Sequence, residues 1–211
     1  MSHTTLKSGY QELVERLNRF PQGAPPSETL YKILQILFSE REAGLVALLP
    51  IKPFTAKKAS QVWKMDLTAA RKVLDELASR AILVDVDHDG EMVYTLPPPM
   101  AGFFEFSGMR LRRDVDQKVL GELYYQYMNV EDEFIRALFV NGETQLGRVY
   151  VHEPALSRDN ALHVLDFERA SQVIRTARAR GGGVCYCRHK MVHMDRACAA
   201  PMNICMTFNS S

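Results

Sequence analysis

The stretch DLTAARKVLDELASRAILVDVDHDGEMVYT, residues 66–95, decides the fold of the first half of the chain. Asp66 is a natural helix cap, and Ala70, Val73, Leu74 and Leu77 recur behind it at helical spacing. From Ile82 the period changes to two: Ile82, Val84 and Val86 alternate with Leu83, Asp85 and Asp87. Asp89-Gly90 is a tight-turn pair, and Met92, Val93 and Tyr94 return as the second strand of a hairpin.

Working back towards the N-terminus, the pattern is helical. Residues 55–64 read as a helix, and 43–49 form an apolar run that stops at Pro50. Ser27 caps a helix with Leu30, Ile33, Leu34 and Leu37 on one face. Before it, Tyr10, Leu13, Leu17 and Phe20 make one short amphipathic pattern, broken by Pro21, Pro25 and Pro26. Helices leading to an Asp-capped helix and a hairpin spell a winged helix-turn-helix over 29–100, preceded by an N-terminal arm over 1–28. Pro97-Pro98-Pro99 predicts a domain boundary within 97–113.

The second half begins again as helix. Val115, Val119, Leu120, Leu123, Tyr124 and Tyr127 keep helical spacing, and the pattern runs through Phe134, Leu138 and Phe139 to Asn141-Gly142. Residues 149–151 read as a short strand. Asp166 caps a last helix with Ala170, Val173, Ile174 and Ala177 on its buried side. A helical domain over 101–184 thus hands over to a cysteine-rich segment over 185–211. The fold class expected is mainly α, of α+β type.

Composition bounds the function. Of 211 residues, 46% are hydrophobic and 24% charged, which is ordinary for a globular chain. The net charge is +1, so no global field draws the protein to nucleic acid or membrane. The longest apolar run, 44–50, is far below the roughly 20 residues of a membrane span. Residues 1–17 mix Lys7, Glu12, Glu15 and Arg16 with no apolar core of a signal peptide, which predicts a cytoplasmic protein.

All four cysteines, Cys185, Cys187, Cys198 and Cys205, fall at the end of the chain, spaced C-x-C-x10-C-x6-C. A secreted disulfide framework scatters cysteines, whereas clustering without a signal peptide points to a metal or redox site. On an extended segment Cys185 and Cys187 share a face with Cβ atoms roughly 6 to 7 Å apart. A zinc ion wants sulfurs only about 3.8 Å apart, whereas a cubane cluster spreads its cysteine sulfurs over roughly 6 Å. An iron–sulfur cluster is therefore favoured, with zinc as the alternative. Arg169, Arg175, Arg178, Arg180, Arg188, Lys190 and Arg196 face only Asp195 in this region, and nearby cations stabilise thiolate charge. Gly181-Gly182-Gly183, if not simply a helix stop, let backbone amides approach sulfur.

His189 and His193 lie four apart, but Lys190 stands where a metallopeptidase has its glutamate, so they read as surface groups or as supports behind the ligands. Met191, Met194, Met202 and Met206 read as core filling. The sequence has no phosphate-binding glycine loop, no G-x-S-x-G elbow and no dinucleotide fingerprint. Tyr124, Tyr125 and Tyr127 are expected to pack rather than catalyse, and Glu131, Asp132 and Glu133 to be solvated or to meet a partner. No catalytic residue is assigned.

From Asn18-Arg19-Phe20-Pro21-Gln22-Gly23-Ala24-Pro25 to Met206-Thr207-Phe208-Asn209 the chain resembles a bacterial and archaeal family of 4Fe-4S ferredoxin-like, or 4Fe-4S dicluster-containing, proteins with an N-terminal winged-helix region. The matching stretches include PPPMAGFFEF at 97–106 and GETQLGR at 142–148. The most specific is Cys185-Tyr186-Cys187-Arg188-His189-Lys190 with Cys198, Pro201 and Cys205. Members typically continue with a second cysteine-rich stretch and a C-x2-C-x2-C-x3-C ferredoxin module, whereas this chain stops six residues after Cys205. The resemblance implies an N-terminal portion of such a protein, an electron-transfer role, and as partners a redox protein and the absent ferredoxin module. A homo-oligomer stays open.

The competing reading is a metal- or redox-sensing winged-helix regulator of transcription. Residues 1–110 hold 13 basic and 13 acidic side chains, and the hairpin offers Asp85, Asp87, Asp89 and Glu91 to any phosphate. Binding DNA needs a basic face, so the winged helix reads as a docking module. Lys57, Lys58 and Lys64 weigh the other way.

Overall fold

Each helix of the first hundred residues starts on a side chain that accepts an amide from its first turn. Ser8 caps α1 (Gly9–Leu17), Ser27 caps α2 (Glu28–Leu37), Ser39 caps α3 (Glu40–Ala47), Thr55 caps α4 (Ala56–Trp63) and Asp66 caps α5 (Leu67–Ser79). Such caps are each worth about 1 kcal/mol. These elements are seen in a computed structural model that describes residues 7–140 and 167–208. The expected strand at 149–151, the 142–148 stretch and the Asp166 cap lie outside the described residues.

The hairpin forms where the period changes. β2 (Val84–His88) pairs antiparallel with β3 (Glu91–Thr95) in the register Val84↔Thr95 to His88↔Glu91. Asp89 (φ 54°) and Gly90 (φ 88°) turn it, both left-handed, as a two-residue hairpin requires. A two-residue strand β1 (Phe54–Thr55) adds to the other edge of β3, giving the order β1-β3-β2. Two residues carry no periodicity, so β1 left no trace in the sequence pattern.

Residues 9–17 are not a free arm. Leu13 and Leu17 are fully buried, and α1 lies against α3 so closely that a Cβ on Gly9 would stand 2.4 Å from the Glu40 carbonyl oxygen. Arg16, also fully buried, donates from Nε to the Leu49 carbonyl (3.1 Å) and from a terminal nitrogen to that of Pro50 (2.7 Å), closing the end of α3.

The prolines at 97–99 do not mark a solvent-exposed boundary either. The chain continues through a π-helical turn (Pro99–Phe103) into α6 (Phe104–Gly108), with Phe103 and Phe104 completely buried. Phe104 meets Tyr124, Tyr127 and Phe134 at ring-centroid distances of 5.6, 5.8 and 5.8 Å. These aromatics join one buried cluster that runs from Leu13 to Tyr186. The proline run ends a strand, but the apolar rings behind it require burial and carry the chain back into the core.

The expected long helix after Val115 is interrupted. Asp116 caps α7 (Gln117–Tyr125), a π-helical turn follows (Gln126–Val130), Glu131 is extended, and α8 (Asp132–Phe139) starts afresh. The wider turn buries both Tyr127 and Met128. Tyr127 donates to the Pro25 carbonyl (2.8 Å), and Thr29 donates to Glu131, so part of the acidic run faces α2 rather than solvent.

Beyond α9 (Phe167–Thr176), β4 (Arg180–Gly183) pairs antiparallel with β5 (Cys205–Phe208), with α10 (Tyr186–Val192) between them. The three glycines are thus a strand, not a flexible link. On α9 the expected buried face is not covered among the described residues: Val173 is 46% and Ile174 39% exposed, and only Ala177 is buried. No helix among the described residues is long and apolar enough to cross a membrane.

The crossing of α1 and α3 yields opposite expectations for two glycines. Gly44→Ala meets nothing closer than 3.8 Å and is expected to stabilise α3 by up to about 1 kcal/mol. Gly9→Ala collides with backbone and is expected to lower the midpoint of urea unfolding. Equal midpoint shifts for the two variants would contradict the crossing.

Candidate metal centre

The cysteine site is built on a helix that the sequence reading treated as extended chain. Cys185 is the N-cap residue of α10 (φ −63°, ψ 106°), and Cys187 lies one residue inside it. The reason is Tyr186. Its ring packs beside Gly108, where a Cβ would come within 2.8 Å of it, and meets the Tyr124 ring edge-on at 6.1 Å. Its hydroxyl donates to the Met128 sulfur at 3.1 Å. A helical turn sends this ring inward while both neighbouring cysteines stay at the site. The alternation argument for the C-x-C pair therefore does not apply.

Sheet register and a returning loop bring the other cysteines to this helix start. Cys205 opens β5 opposite Gly183, two residues before Cys185, and the two thiols influence one another's ionisation. The Cys185 amide donates to the Met202 carbonyl, which folds the 193–204 segment back over α10. Cys198, exposed on that segment, accepts from Arg188 Nε at 3.0 Å. A second nitrogen of the same guanidinium donates to the Cys185 sulfur at 3.2 Å. Cys187 is exposed; the charge of Cys185 acts on it, and its own charge acts on Cys205. Cys185 thus shares Arg188 with Cys198, and Cys205 is brought near it by the β4–β5 pairing. Among the described residues no three His, Cys, Asp or Glu side chains are placed to hold a metal ion.

The four thiols divide by environment. Burial pushes Cys185 up, but the Arg188 amide, the Arg188 charge and Cys205 together outweigh it, so its net direction is down. That amide favours the thiolate without making a regular capping bond. Cys198 is held below the ordinary thiol range by the Ala200 amide and by Arg188. Burial, then the charge of Cys185, holds Cys187 above it. Cys205 is raised by burial first, against the Tyr186 amide, and by Cys185. Two thiols are lowered and two raised, as expected where one cation serves two of four sulfurs.

The amides that favour the thiolates are those of Tyr186, Arg188 and Ala200, while the glycine strand pairs with β5. The positive cluster is also narrower than its charge count. Arg188 bonds the sulfurs and Lys190 acts on Cys187, while Arg180 caps the Ile174 and Arg175 carbonyls and Arg196 donates to Tyr125. Lys190 itself donates to Asn129 (2.7 Å).

The two histidines pack rather than ligate. His189 is buried, not a surface group, with Nδ1 in a 2.9 Å hydrogen bond with the Gly108 carbonyl. His193 lies 5.3 Å from it, ring to ring, against Gly121, and its Nε2 is buried without a partner. Gly108 and Gly121 make the room for α10, and neither glycine carried a signal by itself. The methionines do not fill the core as expected: Met206 is 52% exposed, and Met191, Met194 and Met202 are half-buried. Burial pushes the phenols of Tyr124, Tyr127 and Tyr186 up, which keeps them neutral packing groups.

Compared with known proteins, this chain matches no family model, no curated protein and no solved structure.

His193 gives the site a pH dependence. Burial first, and the neighbouring His189 second, pull it below 6.5, while Asp116 and Glu122 pull the other way and Lys118 adds to the lowering. The unfolded chain therefore binds the proton at a higher pH than the folded one, and stability falls as the pH drops below about 6.5. In His193→Gln the fall of Tm between pH 7 and 5 is expected to be shallower. An unchanged slope would remove His193 as its source.

Proposed function

We propose that Cys185, Cys187, Cys198 and Cys205 hold one iron–sulfur cluster, of 4Fe-4S type, and that the protein passes electrons to a redox partner. The observation that carries this reading is the gathering of cysteines around the start of α10: Arg188 joins Cys185 to Cys198, and β5 brings Cys205 opposite Gly183, two residues before Cys185. The donor set fits the group. Four thiols close in sequence and one cation bonded to two of them suit the chemistry of an anionic cluster whose thiolates must be stabilised. Such a cluster, when bound, supplies one-electron transfer. The chain's own residues bind it through sulfur, offset its charge with Arg188 and exclude water on the inner side with the Tyr186 ring.

The same reading assigns a docking role to the helices and three-stranded sheet of residues 29–100, as a winged helix. The hairpin tip, residues 87–91, is exposed and carries Asp87, Asp89 and Glu91. An acidic tip disfavours phosphate and favours a protein surface. The partner proposed is a ferredoxin-type module, as the family resemblance implies.

Anaerobic reconstitution is expected to yield brown protein with matching iron and sulfide and an EPR signal on reduction. Cys185→Ser and Cys198→Ser should each lose most of the iron. A colourless product that takes zinc under the same conditions overturns the cluster in favour of a zinc site. Binding of promoter-length duplex DNA at low salt would replace the docking role with the regulatory one.

A further inference from the structure

Arg188 follows Cys185 by three residues, one turn along α10, so both side chains lie on the same face of the helix. Cys198 is ten residues further along, exposed, on the segment that folds back over the helix. The guanidinium spans the gap. Nε donates to Cys198 at 3.0 Å and a terminal nitrogen to Cys185 at 3.2 Å. This use is specific to arginine: its planar fork presents several donors in fixed directions and keeps its charge at any working pH. Lysine supplies one compact charge that cannot face both sulfurs in the same way. The nearby cations have other bonds, Lys190 to Asn129, Arg180 to the end of α9 and Arg196 to Tyr125.

We infer that Arg188 is a positioning residue of the cysteine site: it ties Cys185 to Cys198 across the 189–197 segment and, with a cluster bound, raises that cluster's reduction potential. The inference rests on the iron–sulfur reading above. Its physics is direct. N–H···S bonds and a fixed positive charge stabilise the more negative, reduced state over the oxidised one. Hydrogen bonds to charged groups contribute more than neutral ones, so removing two of them together with the charge shifts the equilibrium measurably.

The test uses the whole chain, reconstituted anaerobically with iron and sulfide, and reads iron content and midpoint potential by EPR-monitored titration. Arg188→Gln is expected to make one-electron reduction about tenfold less favourable, a negative shift of about 59 mV. Arg188→Lys is expected to fall between Arg188→Gln and the wild type. Arg196→Gln removes the same charge from the same segment without touching sulfur and is expected to leave the potential in place. If Arg188→Gln fails to load iron while Arg196→Gln loads fully, the tie between the two sulfurs is needed for assembly, which also supports the inference. Should Arg188→Gln load normally with an unshifted potential, or Arg188→Lys match the wild type, the inference is overturned while the cluster reading stands. A wild-type protein that takes up no iron overturns the cluster reading itself, and the role of Arg188 with it.

Discussion

The Tyr186 ring fills the space beside Gly108 that a methyl group would close, and its hydroxyl reaches the Met128 sulfur inside the core. This contact holds α10 to the rest of the molecule. Because Tyr186 points inward, Cys185 and Cys187 are left at the site on either side of it. Arg188 and His189 are placed by the same turn, one toward sulfur and the other toward the Gly108 carbonyl. Pairing of β4 with β5 then sets where Cys205 arrives, two residues in register from Cys185. The site is thus an extension of core packing: the core decides where the helix starts, and the helix start decides where the sulfurs are.

The first and second halves depend on one another through that core. Helix α2 packs against α7 and the turn that follows it, and the Tyr127 hydroxyl and Thr29 bond across that seam, to Pro25 and Glu131. The aromatic set of Phe104, Tyr124, Tyr127, Phe134 and Tyr186 is close-packed, with ring pairs between 4.9 and 6.1 Å. Edge-on packing of this kind resists rearrangement, because each ring has its place set by several others. The cysteine site at the margin of this cluster has one close-packed wall and, on the side of the 193–204 segment, one exposed wall.

The electrostatics of the site are equally local. Seven cations lie between residues 169 and 196, and among those described Arg188 bonds sulfur while Arg180 and Arg196 bond elsewhere. Arg188 lowers two thiols, and the backbone amides of Tyr186, Arg188 and Ala200 act on three. Charge summed along the chain does not name its source at the site, since a side chain a few residues away can point elsewhere. Arg180, which closes α9, and Arg196, on Tyr125, are the instances.

Most of what was legible in the sequence is what neighbours in the chain decide between themselves. The caps at Ser27 and Asp66, the faces of α2 and α5, the Asp89-Gly90 turn and the class of the fold follow from hydrogen bonds and periodicity within a few residues. The clustering of the four cysteines was legible too, because it is a matter of spacing alone. Tertiary structure decided the rest. The proline run at 97–99 is followed by burial because Phe104 meets the rings of Tyr124, Tyr127 and Phe134. The C-x-C pair starts a helix because Gly108, some eighty residues earlier, leaves room for Tyr186. Arg188 reaches Cys198 because the Met202 carbonyl draws the segment back to Cys185. Each of these outcomes depends on two side chains or backbone groups whose separation in sequence says nothing about their separation in space.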